Sequence, residues 1–250
     1  MILQFHPLAR SATLGAAWSL LLALGSVGPA AAAGPDDASS GSGRAGPGPG
    51  PVPPAVRNHL KLEPERAPRF VWRQAPLTAK PRVNIQTEFG EIEVELDARR
   101  APGTVTNFLR YALLGLYGDG LFHRAVTLAN QPTNRIRIQV IQASANPART
   151  NELLPAIPLE RTSQTHLRHR AGTISMARLG PDTAQDEFFI CVGDEPELDF
   201  GGRRNPDGQG FAAFGRVVKG MDVVRRIHRA PENAQSLDPP IRIQRVIRIK

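Results

Sequence analysis

Residues 82–96, RVNIQTEFGEIEVEL, alternate apolar and polar side chains almost without a break. Val83, Ile85 and Thr87 share one parity, and beyond Gly90 so do Ile92, Val94 and Leu96. A period of two puts each set on one face of a strand, and the glycine marks the turn between them. The segment therefore predicts a β-hairpin with one buried face. Downstream, Pro102 opens a run in which Val105, Phe108, Leu109, Ala112 and Leu113 recur at helical spacing until Gly115, the pattern of a helix that lays one apolar stripe on a core. Further strands are predicted at 136–143 (IRIQVIQA), 172–177 (GTISMA), 187–193 (EFFICVG), 211–218 (FAAFGRVV) and 241–249 (IRIQRVIRI), with a second helix at 220–230 (GMDVVRRIHRA). Many strands and few helices make the domain mainly β, and the loops between them are where a site belongs.

Toward the N-terminus the composition changes. Residues 1–33 pass from a segment containing His6 and Arg10, through the apolar stretch Leu14 to Val27, into the small residues Pro29 to Ala33. That is the layout of a secretory signal peptide cleaved close to Ala33, and it predicts export with no transmembrane span afterwards. Residues 34–54 are dominated by Gly, Pro, Ala and Ser and offer little to remove from water, so 34–80 is expected to be a tether with an N-terminal extension, leaving 81–250 as the folded domain. The net charge of +8 comes from arginines spread along the chain, a solvated surface with no specific nucleic-acid partner. A single cysteine, Cys191, excludes an intrachain disulfide, a cysteine-based zinc site and a CxxC redox motif.

Several pieces then line up in order: FGEIEVEL (89–96), APGTVTNFL (101–109), LFHR (121–124), GTISMAR (172–178), EFFICV (187–192), Leu198–Asp199 and FGRVVKGMDVV (214–224). Together they resemble the cyclophilin-type peptidyl-prolyl isomerases over nearly all of residues 82–250, with wording similar to the bacterial periplasmic branch. The resemblance implies a closed eight-stranded antiparallel β-barrel capped by two α-helices. It also implies a monomer that acts on proline-containing polypeptides without metal or cofactor.

Rotation of an X-Pro amide crosses a barrier of about 18–20 kcal/mol and makes no bond to another atom. A catalyst needs only to favour the twisted amide, in which the nitrogen regains its lone pair. A fixed cationic donor aimed at that nitrogen, beside an apolar pocket for the ring, does this. By resemblance the donor is Arg124 of LFHR, always charged and forked, while His123 is a packed or hydrogen-bonded neighbour. The resemblance places Gln142, Val140, Ala177, Arg178, Glu187, Phe189, Leu198 and Phe211 around the substrate. Parity agrees in part, since Ile136, Ile138, Val140 and Gln142 share one face of the predicted strand and Phe188 faces opposite to Phe189, toward the core.

The chain departs from the family pattern at Gln139, Val140, Glu187, Glu197 and Phe211. The Gln139 position removes an aromatic wall, and Glu187 is expected to compete for Arg124 through a charge-assisted bond and lower turnover. An alternative is a proline-peptide-binding or chaperone module of the same fold with weak or no catalysis. Other chemistries fit less well. His166 and His169 have metal-pair spacing but are expected in a solvated basic loop. Ser175 lies in a strand without a glycine elbow, and the glycines of GGRRNPDGQG (201–210) read as turns.

Overall fold

A computed structural model describes residues 79–249. The leader expected at 1–33 and most of the extension expected at 34–80 lie outside the described residues. Among the described residues nine strands form: β1 (Arg82–Thr87), β2 (Gly90–Leu96), β3 (Gly120–Val126), β4 (Val140–Ser144), β5 (Thr173–Met176), β6 (Phe188–Cys191), β7 (Ala212–Lys219), β8 (Glu232–Asn233) and β9 (Ser236–Ile249). Their order is β1-β2-β7-β5-β6-β4-β3-β9-β8, every pairing is antiparallel, and β9 also pairs with β1. Eight strands thus close into a barrel, and the two-residue β8 is an arm on β9 alone. Closure removes the free edges that an open sheet would expose.

The hairpin forms as its alternation predicts. Val83, Ile85, Ile92, Val94 and Leu96 are all fully buried. Its outer face carries cross-strand pairs, with Arg82 donating to Glu93 at 3.1 Å and to Glu95 at 3.2 Å. Two glycines let a helix approach this hairpin. A Cβ on Gly90 would meet Val223 at 2.9 Å, and one on Gly220, at φ 93°, would meet the Glu91 carbonyl oxygen at 2.2 Å.

Helix α1 (Pro102–Leu113) buries Val105, Phe108, Leu109 and Tyr111, whereas Leu113, expected on the apolar stripe, is 62% exposed. The stripe turns with the 3.6-residue period, so Tyr111 takes the buried place near the helix end. No side chain at Ala101 caps this helix. Instead Glu160, far downstream, accepts from the backbone N–H of Gly103 at 3.0 Å and of Thr104 at 2.8 Å. A carboxylate there satisfies free donors and complements the helix dipole. A single turn, α2 (Thr162–Thr165), was not expected; α3 (Met221–His228) was, and it turns Val223, Val224 and Ile227 inward. Both longer helices feed the core that fills the barrel, where Phe108 packs against Tyr117, Phe188 and Phe214 at centroid distances of 5.1 to 5.4 Å. Among the described residues no helix is long and apolar enough to cross a membrane.

Strand β3 was not expected, and it has no clean alternation because its register shifts between Phe122 and Arg124. Two strand expectations change. Strand β9 begins at Ser236, ahead of Ile241. Strand β4 begins at Val140, four residues later than expected, because side chains claim the preceding backbone. Gln131 accepts from the Ile138 N–H at 3.3 Å and donates to its carbonyl at 2.8 Å, and Glu195 accepts from the Gln139 N–H at 2.8 Å. With those groups satisfied, no neighbouring strand is needed.

Candidate active site

Cross-strand register assembles the site. Arg124 of β3 lies opposite Gln142 of β4, Gln142 opposite Phe189 of β6, and Phe189 opposite Ser175 of β5. Directly opposed residues stand about 4.5–5.5 Å apart, so residues from distant parts of the chain become one row. The bulge in β3 re-aims Arg124 within that row.

The Arg124 guanidinium is held from two sides. Its Nη1 donates to Gln142 Oε1 at 3.2 Å, its Nε donates to Gln235 Oε1 at 3.0 Å, and its Nη2 also donates to that Gln235 oxygen. Three of five N–H donors are used, which leaves two for a ligand. Burial, and then the nearby Arg204 guanidinium, lower the Arg124 pKa to about 10, so it stays charged at neutral pH. Gln142 in turn donates to Glu187 at 2.5 Å. The expected direct bond between Glu187 and Arg124 therefore does not form, because Gln142 stands between them. Burial holds the Glu187 carboxyl above its usual range, and the Asp186 charge adds to this against the pull of Gln142 and Arg124. His123 is pushed down to about 4 by burial and by Arg124, so it is neutral, and its Nε2 has no hydrogen-bond partner among the described residues.

Beside this row lies an apolar hollow lined by Ile138, Val140, Gln142, Ala177, Arg178, Phe189, Leu198 and Phe211. Apart from Ile138, these are residues placed around the substrate from sequence. Arg124 and Glu187 adjoin the hollow through Gln142. Ile138 supplies a wall that Gln139 does not. The Phe189 and Phe211 rings meet edge to face at 5.3 Å, a favourable quadrupole geometry. Free space in the hollow is about 10 Å³, room for about one water. Arg178 contributes its stem only. Its guanidinium donates to Asp207 at 2.7 and 3.0 Å and to the Gly210 carbonyl at 2.8 and 2.6 Å.

The family profile described as cyclophilin type peptidyl-prolyl cis-trans isomerase/CLD matches residues 82–248. The chain belongs to the cyclophilin-type peptidyl-prolyl isomerases. It is 36% identical over 151 residues to peptidyl-prolyl cis-trans isomerase A of Dickeya dadantii, an alignment covering 60% of this chain and 72% of the relative. With peptidyl-prolyl cis-trans isomerase B of Escherichia coli the identity is 34% over 148 residues, covering 58% and 82%. A crystal structure of a cyclophilin type isomerase from Cryptosporidium parvum superposes with a TM-score of 0.55 at 21% identity, covering 68% of this chain and 98% of that one.

Two parts of this cyclophilin site escape a reading of the sequence. Gln235 reaches Arg124 because Ala234 and Gln235 both take left-handed φ values, 50° and 76°, in the two-residue turn between β8 and β9. Such hairpins usually advertise themselves with Asn-Gly or Asp-Gly, and Ala-Gln carries no such signal. The second part is a buried chain behind Phe189. His169 lies 2.7 Å from Asp199 through Nδ1 and 2.9 Å from Ser175 Oγ through Nε2, and its ring stacks on Phe189 at 5.9 Å. The solvated loop expected for His169 is thus corrected: the residue is 1% exposed. Burial lowers its pKa against the opposing pull of Asp199, so it serves as a neutral strut. Ser175 is likewise buried and sits where no substrate reaches it. Glu197 points away from the hollow and pairs with Arg203 at 2.8 Å.

Proposed function

We propose that this isomerase rotates X-Pro bonds in exported polypeptides of the bacterial periplasm, assisting their folding, and that Arg124 is its catalytic residue. The observation that carries the reading is the Arg124 guanidinium, clamped by Gln142 and Gln235 with two N–H groups left over, next to an apolar hollow. A proline ring seated on Phe189, Val140 and Leu198 brings its nitrogen toward those donors. As the amide twists, the nitrogen lone pair reappears and gains a charge-assisted bond that the planar amide does not offer, so the transition state is favoured over the ground state. The clamp fixes the donor beforehand, and no reorganisation is needed as the bond rotates.

The test is a protease-coupled isomerisation assay on an Ala-Pro peptide. Arg124→Ala is expected to lower kcat/KM by about 10²-fold or more with the fold intact by circular dichroism. Peptide binding with equal turnover in parent and variant would transfer the protein to the binding-module reading. The leader-like composition of residues 1–33 supports the periplasmic assignment. Expression in a bacterium followed by N-terminal sequencing checks it, with a mature chain starting near Gly34 in the periplasmic fraction as the expected result.

A further inference from the structure

On the far side of the Gln142–Glu187 pair from the hollow lies a larger cavity of about 310 Å³. Its walls include Leu121, Leu153 and Leu237, with Asp186, Glu187 and His123 as its ionisable side chains. Among the described residues no lysine or arginine lines it. The carboxylates are unequally used. Asp186 accepts from the Ala145 N–H at 2.9 Å, and one Glu187 oxygen accepts from Gln142. The other Glu187 oxygen has His123 Nε2 at 4.0 Å, beyond hydrogen-bond reach, and that nitrogen is itself unpartnered. A half-buried acceptor without a donor among the described residues is a place where a ligand donor gains more than it would in water. Apolar walls ending in carboxylates suit an aliphatic stem with a cationic tip.

The cavity also adjoins the proposed site through Glu187, one of its walls. Glu187 bonds Gln142, and Gln142 lines the hollow and stands opposite Arg124 in the row. An extended peptide advances about 3.3 Å per residue, so residues flanking a proline in the hollow are the ones offered to this cavity. Building on the reading that proline occupies the hollow, we propose that this cavity is a second subsite that takes a lysine or arginine side chain flanking the substrate proline, giving the enzyme a preference for basic X-Pro segments.

The experiment compares matched peptides that carry Ala, Lys or Glu at each of the positions within three residues of the proline, measured by turnover and by fluorescence binding. At one position Lys is expected to exceed Ala by about fivefold in kcat/KM, with Glu below Ala, and the ratio should shrink at high salt. Asp186→Asn and the cavity-filling Leu153→Trp should each bring the Lys/Ala ratio toward one. A ratio does not depend on the fraction of folded protein, so poor folding of a variant does not mimic the result. A Lys/Ala ratio of one at every position in the parent, or a ratio untouched by both variants, overturns the proposal. Loss of turnover on all peptides with the Lys preference kept in binding would instead overturn the catalytic reading alone.

Discussion

Strands β4 and β6 serve two apolar clusters, one on each face, and the two obey different rules. Ile141, Ala143, Phe188 and Ile190 point into the barrel and join a core built from both longer helices and most of the strands. Val140, Phe189 and Cys191 point outward and join Val126, Ile138, Leu198 and Phe211 in a separate cluster. The inner cluster is filled by volume, with Phe188 touching Phe108, Tyr117 and Phe122 edge to face. The outer one is held by buried polar groups: Gln142 and Arg124 on one flank, His169, Asp199 and Ser175 behind Phe189. Adjacent residues of one strand can therefore be governed separately, one by packing and the other by hydrogen bonding.

The pair Phe188 and Phe189 gives the largest test of that division. Phe188→Ala removes a fully buried ring from the core and is expected to cost about 3–5 kcal/mol, read as a lower denaturant midpoint. Phe189→Leu keeps most of the apolar volume and is expected to cost less than about 1.5 kcal/mol in stability, yet to reduce kcat/KM about tenfold because the ring that stacks on His169 and meets Phe211 edge to face is gone. If Phe189→Leu lost stability and kept turnover, the two faces would not be separate in function.

The inner face was the more legible in the sequence, for a physical reason. Alternation in β1 and β2, the stripe of α1 and the opposed parities of Phe188 and Phe189 are local patterns, and local periodicity reports burial directly. The outer face depends on partners that only folding brings together. Glu160 caps α1 across more than fifty residues of chain, and Gln131 ends the run at 136–139 through its side chain. Gln235 arrives at Arg124 from an unmarked turn. Ala177, Leu198 and Phe211 were legible through family motifs alone, whereas Val140, Gln142 and Phe189 had strand parity in support, and Ile138 shared that parity without being placed at the site.

Acid should also separate the faces, with an effect smaller than that of either aromatic substitution on its own property. His123 titrates near 4 in the folded chain, below its ordinary 6.5. Between those values the unfolded chain binds a proton that the folded one does not, so stability is complete above about pH 6.5 and is lost as pH falls toward 4. The expected loss through His123 is about 1 kcal/mol by pH 5.5. His169, also lowered by burial, acts in the same sense. Asp186 and Glu187, raised by burial, act oppositely, since folding makes them bind protons more readily. The difference between the parent and His123→Gln across pH 4 to 7 isolates the one histidine. Parallel profiles would show that His123 is not held neutral on this flank.

The smallest expected effect concerns Glu187, which acts on Arg124 at one remove. Its carboxylate fixes the Gln142 amide by accepting from Nε2, so that Oε1 faces the guanidinium. Its charge also attracts Arg124 through the same gap. The first contribution holds the donor in place for catalysis, and the second opposes catalysis by offering the guanidinium a competing anion. Glu187→Gln keeps an acceptor for Gln142 and removes the charge, so kcat/KM on a neutral Ala-Pro peptide should rise by about two- to threefold. Glu187→Leu removes both and should lower it, because Gln142 is then free to turn its amide away from Arg124. A fall in both variants would mean that the charge of Glu187 supports catalysis, and the outer face would then depend on an extended ionic network as well as on hydrogen-bonded placement.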